Sequence, residues 1–471
     1  MITSTIQAAI FYSLLLQGAP HEAQAAPSSP RALAEKTLPA VIADRRAMRR
    51  VLGSGAVAYV SSDPAAPRVE ARAVFRAGAY VDPPGKEGLA HLLVRSIPFA
   101  PEIRAAAALL GARIESELDD HLGEVSLVCS AATARDALGA LVAALRVRTF
   151  DAAILEDQKY CLTAALLRRD DDGLAAEERA WKRLMRGGHS STWLPSQASL
   201  DAITPADLAH AATPLLVPRN VVFAVSGPMP EGEITAALDA AMAGWAPADS
   251  PIPAASEPQP AAAPGVYLLD LGRPCATVRI RIGFPTIRRD HGDRALLEAL
   301  SEYLGSTAAA SRLRRSLLHD KGLVFDVGFE MCRGEVHRGD VSFTLGARAV
   351  RAAAAVRAAI AEIRAVGEER VSAETIATVR QGLIERLATL DASLHGRLRR
   401  FAREEWLRVD AEEAARDRAA WESMTADDWI RTARRYLDIT KAVVLLVGDS
   451  KAIDLAPSSW GEFGAPRPLP E

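Results

Sequence analysis

An internal repeat constrains the fold of this 471-residue chain more than any other feature. Thr204 begins a predicted helix, with Pro205 in its first turn, and an apolar strand ending at Gly227 follows. Thr425 and Gly448 mark the same order later in the chain. Both pairs are 221 residues apart, since 425 minus 204 equals 448 minus 227. A helix start and a strand that recur at one spacing indicate a duplicated domain.

A third match supports the duplication. The strand that starts at Gly123 reads Gly-Glu-Val-Ser-Leu, and the strand that starts at Gly339 reads Gly-Asp-Val-Ser-Phe. Alternating strands and amphipathic helices occur together in each half. We therefore predict the α+β class, with two duplicated domains of antiparallel sheet and helices packed on one face of each sheet.

The join between the halves is predicted in residues 246–264. This segment contains six prolines among Ala and Ser, which is typical of an extended, semi-rigid connector. The sequence thus predicts an N-terminal domain of residues 38–245 and a C-terminal domain of residues 265–471.

The N-terminus has the features of an export signal. An apolar run over residues 6–16 is too short to span a bilayer, and Ala23-Gln24-Ala25 fits a signal-peptidase site. No Lys or Arg precedes the run, so a disordered extension or a misjudged start codon is the alternative. We expect a signal peptide at residues 1–25 cleaved near Ala25, a flexible lead-in at 26–37, and a periplasmic or secreted protein. No other segment has the length and apolar character of a membrane span.

Composition restricts the classes of partner. The chain has 56 basic and 59 acidic residues and a net charge of -3, which gives no general attraction to nucleic acid. No two cysteines form a CxxC pair. An exported chain permits one disulfide in each half, and buried free thiols are the equal alternative, for Cys129, Cys161, Cys275 and Cys332.

One predicted helix carries the residues from which chemistry can be inferred. Residues 88–96 read Gly-Leu-Ala-His-Leu-Leu-Val-Arg-Ser and follow a Pro/Gly turn, with Leu89, Leu92, Leu93 and Ser96 on one face. The stretch resembles the motif helix of the insulinase, pitrilysin and mitochondrial-processing-peptidase family, which commonly reads G-L-A-H-x-L-E-H. In such H-x-x-E-H helices the histidines bind zinc and the glutamate activates its water.

The resemblance fails at the catalytic positions. His91 stands in the place of the first histidine, Val94 in that of the glutamate and Arg95 in that of the second histidine. Valine has no proton to exchange, and a guanidinium does not bind a cation. The third ligand in the family is a glutamate just before a basic-acidic turn, which here begins at Arg168, and Ala164 and Ala165 precede that turn. Glu156, Glu177 and Glu178 lie too far along the chain to take its role. These losses predict no catalytic residue and no metal ligand in this chain, with zinc expected in an active partner.

The resemblance also implies contacts with peptide. The family holds substrate backbone with an Arg and a Tyr, where this chain has Leu318 and Phe325. An edge strand in the family pairs with extended substrate, and that main-chain interaction survives the loss of catalytic residues. Glu115 and Ser116, on the corresponding strand, are therefore candidate peptide contacts.

Three functions remain open at this point. The first is a non-catalytic subunit that pairs with an active homologous zinc peptidase and closes a chamber for peptides. The second is a stand-alone peptide-binding or structural subunit. The third is a peptidase with a rebuilt metal site involving His91, His121 and nearby acids, whereas His189 resembles a structural turn of the family.

Overall fold

The computed structural model describes residues 45–171, 173–192, 194–245, 256–258, 262–306, 311–332, 334–390 and 393–470. Val41–Glu471 form one compact unit. The predicted signal peptide, the lead-in and most of the predicted linker lie outside the described residues, so these remain predictions.

Two six-stranded sheets form the framework. The strands are β1 Arg49–Val51, β2 Val57–Ser62, β3 Val69–Arg76, β4 Arg113–Leu118, β5 Leu122–Cys129, β6 Val222–Gly227, β7 Gly265–Asp270, β8 Thr277–Pro285, β9 Val324–Cys332, β10 Asp340–Arg348, β11 Val443–Gly448 and β12 Arg467–Pro468. The first sheet has the order β1-β2-β6-β3-β5-β4, and the second has β12-β7-β11-β8-β10-β9. From β2 and β7 onward the orders correspond strand by strand, as expected for a duplication.

Helices cover both sheets. They are α1 Arg45–Met48, α2 Leu89–Ser96, α3 Pro101–Leu110, α4 Ala134–Leu145, α5 Ala152–Asp171, α6 Gly173–Arg186, α7 Gln197–Asp201, α8 Pro205–Leu215, α9 Glu231–Met242, α10 Arg294–Gly305, α11 Ala352–Val366, α12 Ala373–Leu390, α13 Leu394–Trp406, α14 Glu413–Ser423 and α15 Ala426–Tyr436. A π-helical segment spans Arg314–Asp320. Within the described residues, no helix has both the length and the apolar character that crossing a membrane requires.

The repeated helix starts are built in the same way. Thr204 and Thr425 are the N-caps of α8 and α15, and each side chain accepts a hydrogen bond from the backbone N–H three residues later. The carboxylates of Asp207 and Asp428 accept from the N-cap backbone in return. These capping boxes satisfy N–H groups that the first helical turn leaves unpaired, and they explain why the repeat is visible in the sequence.

The halves exchange one helix each. One face of the first sheet packs on helices of its own half, while its other face, including Tyr59 and Val222, packs on Leu398 and Phe401 of α13. Reciprocally, α6 of the first half packs Trp181 and its neighbours on β7 and β11 of the second sheet. Each sheet is apolar on both faces at its central strands, so the second face also requires a cover.

The predicted α+β class with two repeated halves is confirmed. The structure adds that the sheets are mixed, because β2 pairs with β6, and β7 with both β11 and β12, in parallel. It also adds the exchanged helices on the second face. Of the basic-acidic turn that the resemblance places at residues 168–173, the residues up to Asp171 belong to helix α5, and helix α6 begins at Gly173. All four cysteines are free thiols.

Candidate functional site

The degenerate motif lies on α2, whose start is held by Asp82. Its carboxylate accepts hydrogen bonds from the backbone N–H groups of Gly88 and Ala90, both at 2.7 Å. Burial raises the pKa of Asp82 to about 6, so the carboxylate is ionised at neutral pH. Gly88 has φ 104°, and a side chain there would meet Leu200 at 2.9 Å. The local sequence therefore fixes where α2 begins and how it is oriented.

The side chains at the motif positions do not form a metal site. Val94 is fully buried in the apolar core of the first half. Arg95 donates from Nε to Oε1 of Gln158 on α5, at 3.3 Å, and Gln158 is itself buried. His91 is partly exposed on the same helix. Hydrocarbon and a guanidinium do not fit zinc, which binds nitrogen, sulfur or carboxylate ligands.

The acids near the expected third ligand are engaged elsewhere. Glu156 accepts from Lys159 at 2.8 Å on α5. Glu177 and Glu178 on α6 point to the second sheet, where they form ion pairs with Arg279 and Arg281 respectively. Ala164 and Ala165 lie within α5. In the described part of the chain, no group of three or more His, Cys, Asp or Glu side chains is placed to hold a metal ion.

The predicted peptide contacts lie on an edge strand. Among the described strands, β4 pairs with β5 alone, and Glu115 and Ser116 oppose Ser126 and Val125. Glu115 is exposed and accepts from Arg113 at 2.5 Å, whereas Ser116 is partly buried. β4 contacts the motif helix α2. One side of this strand thus keeps backbone groups free for main-chain pairing with an extended segment.

The remaining predicted positions are dispersed. Leu318 packs against the core of the second half, and Phe325 is 57% exposed on the edge strand β9. His189 contacts Ser256 through Nε2 at 3.0 Å. His121 does not face a cluster of acids around α2; its ring meets that of His337.

Three residues of this region were not predicted from the sequence. Asp82 precedes the Pro83-Pro84-Gly85 turn and lies seven residues before the first residue of α2, and local sequence patterns do not specify a cap at that distance. The role of Gln158 could not be predicted from the sequence near it, because its hydrogen-bond partner Arg95 lies on another helix. His337 could have been found, because it precedes Gly339 by two residues as His121 precedes Gly123.

The comparisons with known proteins agree with this architecture. A crystal structure described as a peptidase M16 inactive domain from Pseudomonas fluorescens superposes with a TM-score of 0.73 at 17% identity, over 90% of this chain and 99% of that one. A chain of complex III2 from Candida albicans gives 0.70 at 15% identity, over 85% and 95%. The periplasmic protease PqqL from Escherichia coli gives 0.70 at 14% identity, over 94% of this chain and 50% of that one. No curated protein sequence matches the chain significantly.

These likenesses define the fold as that of M16 peptidase domains. Residues 202–383 additionally match the family model described as the peptidase M16 inactive domain. Residues 202–383 are therefore similar in sequence to the inactive domain of M16 peptidases, and the fold of the described chain is similar to that of M16 domains.

Proposed function

We propose that this chain is a non-catalytic subunit that pairs with an active zinc peptidase of the same family. The observation that supports it is the pair Val94 and Arg95, of which the first is buried in the core and the second binds Gln158. Both side chains are integrated into the fold, so the positions that would hold and activate zinc serve packing and hydrogen bonding instead. The partner would supply the intact motif and its metal.

The role of this subunit would be to form one wall of a peptide-binding chamber. β4 offers an unpaired edge beside the motif helix, with Glu115 and Ser116 on it. Main-chain pairing at such an edge does not depend on the side chains that were lost. Extended peptides are therefore the expected ligands, and an export signal would place the assembly in the periplasm or outside the cell.

The first experiment measures zinc and proteolysis in the purified chain. We expect no stoichiometric zinc by mass spectrometry and no cleavage of a mixed peptide library. Affinity capture from the native extract should recover a homologue with an intact H-x-x-E-H motif, and the complex should cleave peptides until a chelator is added. Tight zinc in the isolated chain, or its own chelator-sensitive cleavage, would contradict the proposal.

A second experiment tests the edge strand. An extended peptide should bind the complex, and the same peptide with alternate backbone nitrogens methylated should bind at least tenfold more weakly, because methylation removes the N–H donors of strand pairing. Equal affinities would show that β4 does not pair with peptide.

A stand-alone peptide-binding or structural subunit is the second candidate. It is favoured by the likeness to a chain of complex III2, a large assembly in which the same fold occurs. Recovery of unrelated subunits in place of a peptidase homologue would support it. The third possibility, a rebuilt metal site at His91 and His121, gains no support from the described residues, since they contain no suitable ligand group.

A further inference from the structure

A cavity of about 540 Å³ lies between the two halves, at the end of α13. It is lined by residues of the first half, by the connection from β9 to β10, and by the segment after α13. Two of its arginines, the partly buried Arg76 and the exposed Arg408, form no ion pair with an acid among the described residues.

Arg76 extends from the end of β3 toward Trp406. Its guanidinium lies 5.3 Å from the ring centroid and donates to the backbone carbonyl of Trp406 at 3.3 Å. Among the described residues no carboxylate lies within ion-pair distance of it. Burial lowers the pKa of Arg76, the nearby Tyr80 acts in the opposite direction, and the charge of Arg408 contributes to the lowering. A partly buried cation beside a like charge is destabilising unless an anion is present.

Other buried arginines of this protein have ion-pair or hydrogen-bond partners for their guanidinium groups. Arg45, Arg281 and Arg294 are at least as deeply buried, and each forms an ion pair with a carboxylate. Arg148 pairs with no acid in the described ranges, but it donates to three backbone carbonyls, those of Leu145, Val147 and Leu216. Arg76 has one long hydrogen bond to a carbonyl among the described residues, so most of its donors remain available.

Arg408 is also energetically unfavourable in its position. It has φ 53° and is the one non-glycine residue with positive φ in the described ranges. Its N–H donates to the carbonyl of Glu405, and the N–H of Val409 donates to that of Glu404. This is the Schellman ending of a helix, in which glycine normally takes the left-handed position. An exposed arginine there brings strain and a positive charge to the cavity, although the carbonyl end of α13 partly offsets the charge.

The acids that line the cavity do not neutralise this pair. Glu335 and Glu413 form ion pairs with Arg289, and Asp410 forms one with Arg416. Asp290 is exposed, and the Arg288 side chain binds Glu257. The charge near Arg76 and Arg408 is therefore positive.

We propose that Arg76 and Arg408 bind a small oxyanion, a phosphate or carboxylate group, in the cavity between the halves. Guanidinium groups bind such groups through paired, charge-assisted hydrogen bonds, and an anion would relieve the repulsion between the two arginines. This site is separate from α2 and β4 and does not depend on the function proposed above.

The test uses the full chain, with inorganic phosphate and succinate as probes against sodium chloride at equal ionic strength. We expect either probe or both to raise the Tm and to bind in calorimetry, and the stronger of the two identifies the ligand class. Arg408→Gly should raise the Tm without probe by roughly 1–2 °C, because glycine relieves the left-handed backbone. The same variant should weaken probe binding at least tenfold.

Arg416→Gln is the matched control, since Arg416 lines the same cavity but is already paired with Asp410. It should retain probe binding within about twofold. Arg76→Gln should lose binding as Arg408→Gly does. No response to either probe in the wild-type chain would overturn the proposal. So would an unchanged response in Arg408→Gly, or an equal loss in Arg416→Gln, which would indicate general charge screening.

Discussion

His121 and His337 occupy the same position of the two repeats, and their rings meet edge to face with centroids 5.6 Å apart. Each lies two residues before the glycine that begins the matched strand, β5 or β10. Nδ1 of His121 and Nε2 of His337 are buried without a hydrogen-bond partner among the described residues. The duplicated halves therefore contact each other through a pair of equivalent imidazoles, and protonation of either ring should affect the stability of the fold.

The first prediction concerns pH. Burial lowers the pKa of His121 to about 4, and burial also lowers that of His337. A histidine whose pKa is lower in the folded state binds a proton first in the unfolded chain, so stability is lost as pH falls below about 6.5. We expect the free energy of unfolding in urea to decrease between pH 7.5 and 5. Asp120 attenuates the effect and Arg186 increases it.

In the variant His121→Gln, the decrease in the free energy of unfolding between pH 7.5 and 5 should be smaller by roughly 1 kcal/mol, because glutamine does not titrate. His210→Gln is the control, since His210 is exposed on α8. If His121→Gln retains the full slope, the imidazole pair does not carry the pH dependence.

The second prediction concerns the start of the motif helix. Asp82→Ala removes both acceptors for the N–H groups of Gly88 and Ala90, and these groups are buried. The free energy of unfolding should fall by about 1–3 kcal/mol, the cost of losing a cap and leaving buried donors unpaired. Asp136→Ala, at an exposed position on α4, should change it by less than about 0.5 kcal/mol. Equal effects would mean that Asp82 does not hold α2.

The third prediction concerns the exchanged helix α6. The ring of Trp181 lies on Gly283 of β8, where an added Cβ would come within 2.5 Å of the ring, and its Nε1 donates to Asp340 at 2.9 Å. Gly283→Ala should displace the indole, cost about 1–3 kcal/mol, and shift the tryptophan fluorescence.

Gly139→Ala provides the opposite case. Gly139 lies inside α4, and no atom of the part of the chain that the structure describes lies within 4 Å of an added Cβ, so alanine should stabilise by up to about 1 kcal/mol. Destabilisation by Gly139→Ala, or tolerance of Gly283→Ala, would contradict the packing described here.

Local patterns in the sequence determined most of the elements. The capping boxes at Thr204 and Thr425, the buried face of α2 and the apolar strands β6 and β11 each depend on residues close together in the chain, and all were predicted. The exchange of α6 and α13 was not, because an amphipathic helix does not indicate which apolar surface it will cover. Ion pairs across the halves follow from that exchange, as between Arg403 and Glu124, and they were equally inaccessible.

The candidate site has one part that can be read from the sequence and one part that cannot. The sequence shows residues unsuited to zinc at the motif positions, because the resemblance assigns a role to each position of the motif. The use made of the replaced positions was not visible. Arg95 finds its partner Gln158 63 residues later, and only the packing of α5 against α2 brings them together.

The last prediction concerns restoration of the motif. Val94 has no exposed surface and packs in the apolar core, so Val94→Glu places a carboxylate where the described residues offer no metal and no cluster of partners. Such a charge should cost about 3 kcal/mol or more, unless the carboxyl becomes protonated. Val94→Ala is the control for lost volume and should cost less, about 1–2 kcal/mol. Arg95→His removes the donor to the buried Gln158 and should cost about 1–2 kcal/mol, less than Val94→Glu. The double variant Val94→Glu with Arg95→His should bind no stoichiometric zinc. The reason is that a third ligand is still absent from α5, where Ala164 and Ala165 stand before residue 168. Zinc binding by that variant, measured by mass spectrometry after dialysis, would mean that another donor completes the site and that the loss of the metal is reversible.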